Sequence, residues 1–404
     1  MICNFLMVEV YNKALDSTIS VDRIIGKHTN HKPGPTVVFF GGIHGNETAG
    51  VFALEKVFKS INPKNIQGTM YAISGNLKAL NAHQRYLEED LNRMWHYDTI
   101  NFENSNNKNL NELEEQQELY QLIHHILESE TGPFYFIDLH TTSSQSLPFI
   151  TINDALINRK FSSLFPVPIV LGIEEYLEGP LLSYINQLGY VSLGFEAGQH
   201  DDYESVISSE AFIYLTLFFT GVIEEKTIAN YNTHYSGLLK SSNELNDIFE
   251  IVHLHRLNNR ETFKMKPNYK SFQNINKGEV IASSEGQDIQ SSYTAKIFMP
   301  LYQNKGKEGF FIIKKIHPFF LSISEILRKI KFDSLLVLFP GISWKDKNEG
   351  VLKVNLKVTK FLAKPLFHLL GYRNKQVDAT HIYLFNRERT SKTKMYKHLK
   401  WYRR

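Results

Sequence analysis

The run Val37–Phe40, closed by Gly41 and Gly42, restricts the fold of this chain more than any other segment. Four consecutive apolar residues bounded by glycines read as a strand buried on both faces, the pattern of a parallel sheet. The residues that follow are Ile43, His44, Gly45, Asn46 and Glu47. If the chain turns into a helix there, His44 and Glu47 share one face across less than a turn. An imidazole and a carboxylate offered at a strand's carboxyl end are two candidate zinc ligands. A His-x-x-Glu alone is a weak signal, so the other parts of a metal site must come from elsewhere in the chain.

The first half of the chain repeats the alternation. Thr36–Phe40, Thr69–Ser74, Phe134–Leu139 and Val191–Glu196 read as extended, with Ile169–Leu171 as a further short strand. Glu47–Ser60, Leu113–Glu128, Gly179–Leu188 and Glu210–Ile223 read as helices, and the Asn-rich stretch Asn101–Asn111 as a loop. Strands separated by helices imply a parallel α/β sheet whose ligands gather at the strands' carboxyl ends. After about Glu225 shorter runs take over: Phe249–His255, Glu279–Ala282, Ala295–Pro300 and Gly309–Lys314. They indicate a smaller β-rich unit. Three regions are therefore expected: 1–228, 229–335, and a basic region 336–404 to which no structure is assigned.

Composition narrows the class. With 42% apolar and 22% charged residues the chain reads as a folded protein, and 404 residues are too many for one ordinary core. A single cysteine, Cys3, excludes an internal disulfide and a cysteine-based zinc site. Met1–Val8 has no preceding basic residues and no small-residue cleavage site, so it is not read as a signal peptide. The apolar stretch Ala211–Ile223 is shorter than the roughly 20 residues that span a bilayer, and a cytoplasmic location is expected. The net charge of +3 hides an asymmetry: Val351–Arg404 holds 14 basic and two acidic residues, against 31 and 40 upstream. Such a stretch could attract nucleic acid or an anionic membrane. A solvated flank is the plainer reading. No RNA-binding signature accompanies the charges, so no nucleic-acid partner is expected.

His140 closes the strand Phe134–Leu139 much as His44 follows Val37–Phe40. Two strands ending at one sheet edge can converge on one metal, and His44, Glu47 and His140 leave a fourth position for water or substrate. Asp90–Leu91–Asn92–Arg93 supplies further chemistry, with Arg85 five residues before Asp90. Asp90 could orient a ligating imidazole, Asn92 and Arg93 could hold a substrate carboxylate, and Arg85 could stabilise an oxyanion. Taken singly, each is more simply a surface ion pair. Glu196 ends a strand between Gly194 and Gly198, where a carboxylate beside an activated water would serve as general base.

In order and texture these motifs resemble the succinylglutamate desuccinylase/aspartoacylase family of the zinc carboxypeptidase-like superfamily. They are Gly-Gly-x-His-Gly-Asn-Glu at 41–47, Asp-Leu-Asn-Arg at 90–93, Asp-Leu-His at 138–140 and Gly-x-Glu-x-Gly at 194–198. The resemblance spans about Val37 to Asp202, and more loosely the β-rich part to about Lys315. It implies an α/β fold with a mixed sheet flanked by helices, followed by a smaller β-rich domain that narrows the active site. It implies one zinc ion per chain on His44, Glu47 and His140, with Glu196 as general base and Asp90 behind the ligands. Arg85, Asn92 and Arg93 match the residues that polarise the substrate and bind its carboxylate. The chain departs from aspartoacylases where these hold a side-chain carboxylate. Ser183–Leu188 contains no arginine, and the assisting tyrosine has no counterpart at Gly309 or Phe310, although Tyr302 lies near. These departures speak against N-acetylaspartate and for an amide with one carboxylate and a neutral remainder.

The expected activity is zinc-dependent hydrolysis of a small N-acyl amino acid or related compound. Within the same fold the alternative is a carboxypeptidase or an amidase of peptidoglycan fragments. A different class, a non-catalytic metal-binding or membrane-associated protein anchored by the basic region, is opposed by the joint presence of the ligands and Glu196. The acyl group, the amino acid and any self-association are left open.

Overall fold

In the computed structural model, which describes residues 7–96, 100, 111–228, 230–257, 262–355, 364–377 and 380–403, the run at Thr36–Gly41 lies inside an eleven-stranded sheet. In spatial order its strands are Asn274–Ile275, Ala295–Phe298, Glu308–Lys315, Ile248–Arg256, Ile169–Leu171, Phe149–Ile152, Val191–Gln199, Phe134–Thr142, Thr36–Gly41, Thr69–Ser74 and Ile24–Thr29. The four from Val191–Gln199 to Thr69–Ser74 run parallel. Side chains alternate between the two faces of a strand. Val37 and Phe39 accordingly pack beneath helices Ala49–Ser60 and Tyr203–Thr220. Val38 and Phe40 pack beneath helices Asn111–Ser129 and Leu181–Gln187. Covering both faces is what makes the strand apolar throughout.

The sheet is mixed, as the family resemblance implies, and not parallel throughout, as the alternation of strands and helices alone suggests. Phe149–Ile152 runs antiparallel to Val191–Gln199, and Ile24–Thr29 antiparallel to Thr69–Ser74. A parallel return needs a crossover of a dozen or more residues, and the link from Thr142 to Phe149 is too short for one. Helix bounds shift where capping decides them. The buried helix starts at Tyr203, where Asp202 accepts from the Glu204 amide at 3.1 Å, and stops before Gly221 at φ +82°. The loop expected at 101–111 falls outside the described residues up to 110; Asn111 begins a helix.

Ile248–Arg256 joins the same sheet parallel to Ile169–Leu171, and Glu308–Lys315, Ala295–Phe298 and Asn274–Ile275 continue it antiparallel. A three-stranded sheet of Lys264–Met265, Val280–Ser284 and Gln287–Gln290 lies in the same β-rich stretch. Further on, Ile342–Asp346, Val351–Asn355, His381–Asn386 and Tyr372–Val377 form a four-stranded antiparallel sheet, in that spatial order, around Ile342, Leu352, Val354, Tyr372 and Leu384. Part of the basic charge here is internal and not a solvated flank. Buried Asp154 accepts from Arg159 Nη2 at 2.8 Å, Arg328 Nη2 at 2.9 Å and Arg373 Nε at 2.6 Å. The chain then returns to the main core, where Trp401 Nε1 donates to the Tyr135 hydroxyl at 3.1 Å. Among the described residues no helix is long and apolar enough to cross a membrane.

Candidate metal and catalytic site

His44 and Glu47 are brought together by a turn, not by a helix face. The Glu47 amide donates to the His44 carbonyl at 3.1 Å, and the helix begins only at Ala49. Two glycines press this turn onto helix Leu77–Asn81. At Gly42, with φ +74°, an added Cβ would lie 2.8 Å from the Leu80 side chain; at Gly45 it would lie 2.1 Å from the Ala79 carbonyl carbon. Only glycine fits such approaches.

The turn faces the strand Phe134–Thr142, which carries His140. Glu47 Oε1 lies 2.8 Å from His44 Nδ1, and Glu47 Oε2 lies 2.9 Å from His140 Nδ1. All three side chains are buried, and one ligand atom from each lies within 4.8 Å of the others. The outer nitrogens are held too: His44 Nε2 lies 3.0 Å from Asp90 Oδ1, and His140 Nε2 lies 2.7 Å from Asp138 Oδ2. Carboxylates accepting from both Nε2–H groups leave the two Nδ1 atoms facing Glu47, the tautomer a metal requires. Burial alone would raise the Glu47 carboxyl, yet His44 and His140 hold it well below its ordinary range. Burial opposes charge on His140, but Asp138 and Glu47 raise its imidazole well above the usual value. Two imidazoles and a carboxylate thus converge in a buried pocket, a donor set that fits zinc.

Glu196 lies on the neighbouring strand, opposite His140 in register. Both residues sit inside their strands, which run on to Gln199 and Thr142, and not at the ends. Burial, with Glu47 and Asp138 near, pushes the Glu196 carboxyl up to about 8 against the opposing pull of His140. Its Oε2 is buried without a hydrogen-bond partner.

The 3-10 turn Leu91–Arg93 is capped by Asp90, which accepts from the Asn92 amide at 3.0 Å. Arg85 spans the two acids, with Nη1 3.3 Å from Glu47 Oε1 and Nη2 3.2 Å from Asp90 Oδ2. Asn92 Oδ1 accepts from the Leu181 amide at 2.9 Å, and Arg93 Nη2 lies 3.4 Å from Glu308 Oε1. A cavity of about 120 Å³ collects His44, Glu47, Arg85, Asn92, Arg93, His140 and Glu196 in its wall; Asp90 stands behind His44. Ile173, Leu177, Leu182, Met299, Leu301 and Phe311 add apolar surface to a lining that also holds Thr141, Ser143, Ser144 and Gln303. On strand Glu308–Lys315 the residues lining the cavity are Glu308 and Phe311, not Gly309 or Phe310, and the Tyr302 hydroxyl donates instead to the Lys266 carbonyl at 2.7 Å.

Three groups at the site have no role assigned from the sequence, although Asp138 opens the Asp-Leu-His motif. Asp138 sits two residues before His140 on one strand face, a spacing that could have revealed it. Glu308 comes from a distant strand, and His200, whose Nδ1 lies 2.7 Å from Thr141 Oγ1, follows the catalytic motif without a signature of its own.

Residues 33–211 match the model of the succinylglutamate desuccinylase/aspartoacylase catalytic domain. The chain is 33% identical over 131 residues to a succinylglutamate desuccinylase of Serratia proteamaculans, covering 30% of this chain and 38% of that protein. It is 29% identical over 177 residues to a probable aspartoacylase of Acaryochloris marina, covering 40% of this chain and 55% of that one. The matches thus span well under two thirds of these relatives' lengths. The fold is similar to the crystal structure of a succinylglutamate desuccinylase/aspartoacylase from Rhodobacter sphaeroides, with TM-score 0.56 at 16% identity over 78% of this chain and 94% of that one. The four motifs gathered at one cavity all lie inside residues 33–211, the segment that matches the succinylglutamate desuccinylase/aspartoacylase catalytic domain.

Proposed function

We propose that this chain is a zinc-dependent deacylase that cleaves the acyl C–N bond of a small N-acyl amino acid or related carboxylate-bearing compound. The observation that carries the reading is the pairing of two features in one cavity wall. One is the His44, Glu47 and His140 set; the other is Glu196, a buried carboxyl with an unpartnered oxygen that is not part of that set.

Zinc held by His44, Glu47 and His140 would polarise the acyl carbonyl and acidify a water molecule. Glu196 takes the proton of the attacking water and passes it to the leaving nitrogen, so that water adds to the acyl carbon and the C–N bond breaks to acid and amine. Arg85 has a buried Nε–H without a partner, a donor in reserve for the oxyanion. Arg93 and the Asn92 amide hold the substrate carboxylate. Glu308 lies 3.4 Å from Arg93 Nη2, so a substrate carboxylate would share that guanidinium with it. The apolar side chains in the lining suit a neutral remainder. Residues 229–335 contribute Met299, Leu301, Glu308 and Phe311, and in this reading they narrow the entrance against long peptides.

The test is turnover by the zinc-loaded protein across N-acetyl and N-succinyl amino acids, run beside a panel of peptides. Release of the free amino acid from acyl amino acids with apolar side chains is expected. Cleavage confined to the peptides would assign the site to a carboxypeptidase or peptidoglycan-fragment amidase instead.

A further inference from the structure

Helix Pro318–Lys329 is built inside out. Its inward side carries polar groups beside Leu321 and Leu327: Ser324 Oγ donates to the Leu369 carbonyl at 2.7 Å, and Arg328, fully buried, reaches Asp154 and Glu388. Its other apolar residues lie toward solvent. Phe319 and Ile326 are each 59% exposed and Ile330, just past the helix end, is 64% exposed; with Ile323 they follow at steps of four, three and four, one stripe on a 3.6-residue helix. The next segment, Phe332–Leu338, adds exposed Leu335 and Leu338, followed by Phe339. Among the described residues, seven of the eleven exposed large hydrophobic side chains fall between 319 and 339. A soluble surface seldom concentrates them so, and such a patch marks an interaction site.

Charge selects the partner. A cavity of about 1030 Å³ opens beside this helix, and its lining includes Lys329, Lys331, Lys347, Lys392, Lys394 and Arg389. The acids in that lining are Asp333 and Glu388, already bonded to Arg389 and Arg328. Lys331, Lys347 and Lys394 form no ion pair with another described residue. Residues 318–404 carry 19 basic and six acidic residues. A second copy would bring the same positive face to its partner and be repelled. An anionic lipid surface offers both an apolar boundary and phosphates.

We propose that helix Pro318–Lys329 and the segment to Phe339 dock this chain on an anionic membrane surface. The stripe of Phe319, Ile323, Ile326 and Ile330 lies in the boundary between headgroups and acyl chains, and Lys331, Lys347 and Lys394 meet lipid phosphates. The attachment is interfacial and does not require a helix that crosses the bilayer. It is independent of the chemistry proposed for the cavity at His44.

The test is flotation of the full chain with vesicles of phosphatidylcholine alone or mixed with phosphatidylglycerol. Binding to the mixed vesicles is expected, weaker by at least about tenfold on phosphatidylcholine alone, or in 1 M salt where the screening length is about 3 Å. The triple substitution Phe319→Ser, Ile326→Ser, Ile330→Ser and the pair Lys331→Glu, Lys394→Glu should each lower binding by at least about tenfold, with circular dichroism unchanged. No flotation with anionic vesicles, or equal flotation of the triple variant, overturns the proposal. So does a dimer in sedimentation that only the triple variant abolishes, without vesicle binding. Should the triple variant misfold, a polarity-sensitive dye on Ile330→Cys in a Cys3→Ser background decides. A blue shift on anionic vesicles is expected, and unchanged emission overturns the assignment.

Discussion

His140 and Glu196 stand opposite each other on neighbouring parallel strands, so the strand pairing that supplies a ligand also fixes the proposed base beside it. Glu196→Gln keeps the side chain's shape and removes its ability to take a proton. The expected outcome is a fall in kcat of about 10² to 10⁴, the range general base catalysis supplies, with zinc content unchanged by emission spectrometry. A variant with near-parental turnover would remove Glu196 from that role.

Asp138 acts on the same imidazole from the other side. It is fully buried and lies 2.7 Å from His140 Nε2. Carboxylates in this position typically contribute about 10 to 100-fold in metal affinity. Asp138→Ala is therefore expected to weaken zinc binding by that factor in competition with a chromophoric chelator, while the fold persists by circular dichroism. Parental affinity in the variant would mean that His140 is oriented by its strand alone.

Arg85 and Arg93 line one cavity but should separate kinetically. In the proposed reaction Arg93 holds the carboxylate, bound alike in ground and transition states, so Arg93→Ala should raise KM at least about tenfold with little change in kcat. Arg85, beside Glu47 and Asp90, faces charge that develops only in the reaction, and Arg85→Ala should lower kcat by about 10² or more. Steady-state rates on one acyl amino acid distinguish the two. Equal loss of kcat in both variants would put Arg93 at the reacting centre.

Much of this arrangement is legible in the amino-acid sequence because the chemistry sits on buried strands. Val37–Phe40 and Phe134–Leu139 announce themselves by apolarity, and the residues that interrupt them stand out for that reason. Where sequence and fold part, local competition is the cause. Glu47 reads as the start of a helix, but Gly45 and Asn46 turn instead and the helix waits for Ala49. His140 and Glu196 read as strand ends because the polar residues beyond them look like loop, whereas both strands continue, buried, past those positions. The C-terminal sheet is illegible for a different reason. Arg373 on its strand Tyr372–Val377 looks solvated in sequence, and only the fold reveals Asp154, more than 200 residues earlier, as its partner.

Asp154 itself carries a stability prediction. It accepts from Arg159, Arg328 and Arg373 in a buried cluster that ties Arg373 of the C-terminal sheet to the residue after Asn153 in the cavity wall. Removing one partner of a buried ion pair leaves uncompensated charge and costs about 3–5 kcal/mol. Asp154→Ala should lose about that much in urea unfolding, and a loss below about 1 kcal/mol would show that the arginines find other acceptors.

Glu174 sets a pH dependence of the opposite origin. Its Oε1 accepts from the Asp154 amide at 2.9 Å, while Oε2 is buried without a partner. Burial, only partly offset by Arg373, pushes its carboxyl up from 4.5 to about 7. Between those values the folded chain holds a proton that the unfolded chain releases, so stability falls as pH rises through the interval. At 1.36 kcal/mol per pKa unit the loss is of order 3 kcal/mol. Glu174→Gln keeps the acceptor and has no proton to lose. Unfolding free energies from urea at pH 5 and pH 8 should therefore drop less in the variant than in the parent, by about 2–3 kcal/mol. Parallel changes in the two proteins would mean that Glu174 folds ionised, compensated by Arg373 and Arg387.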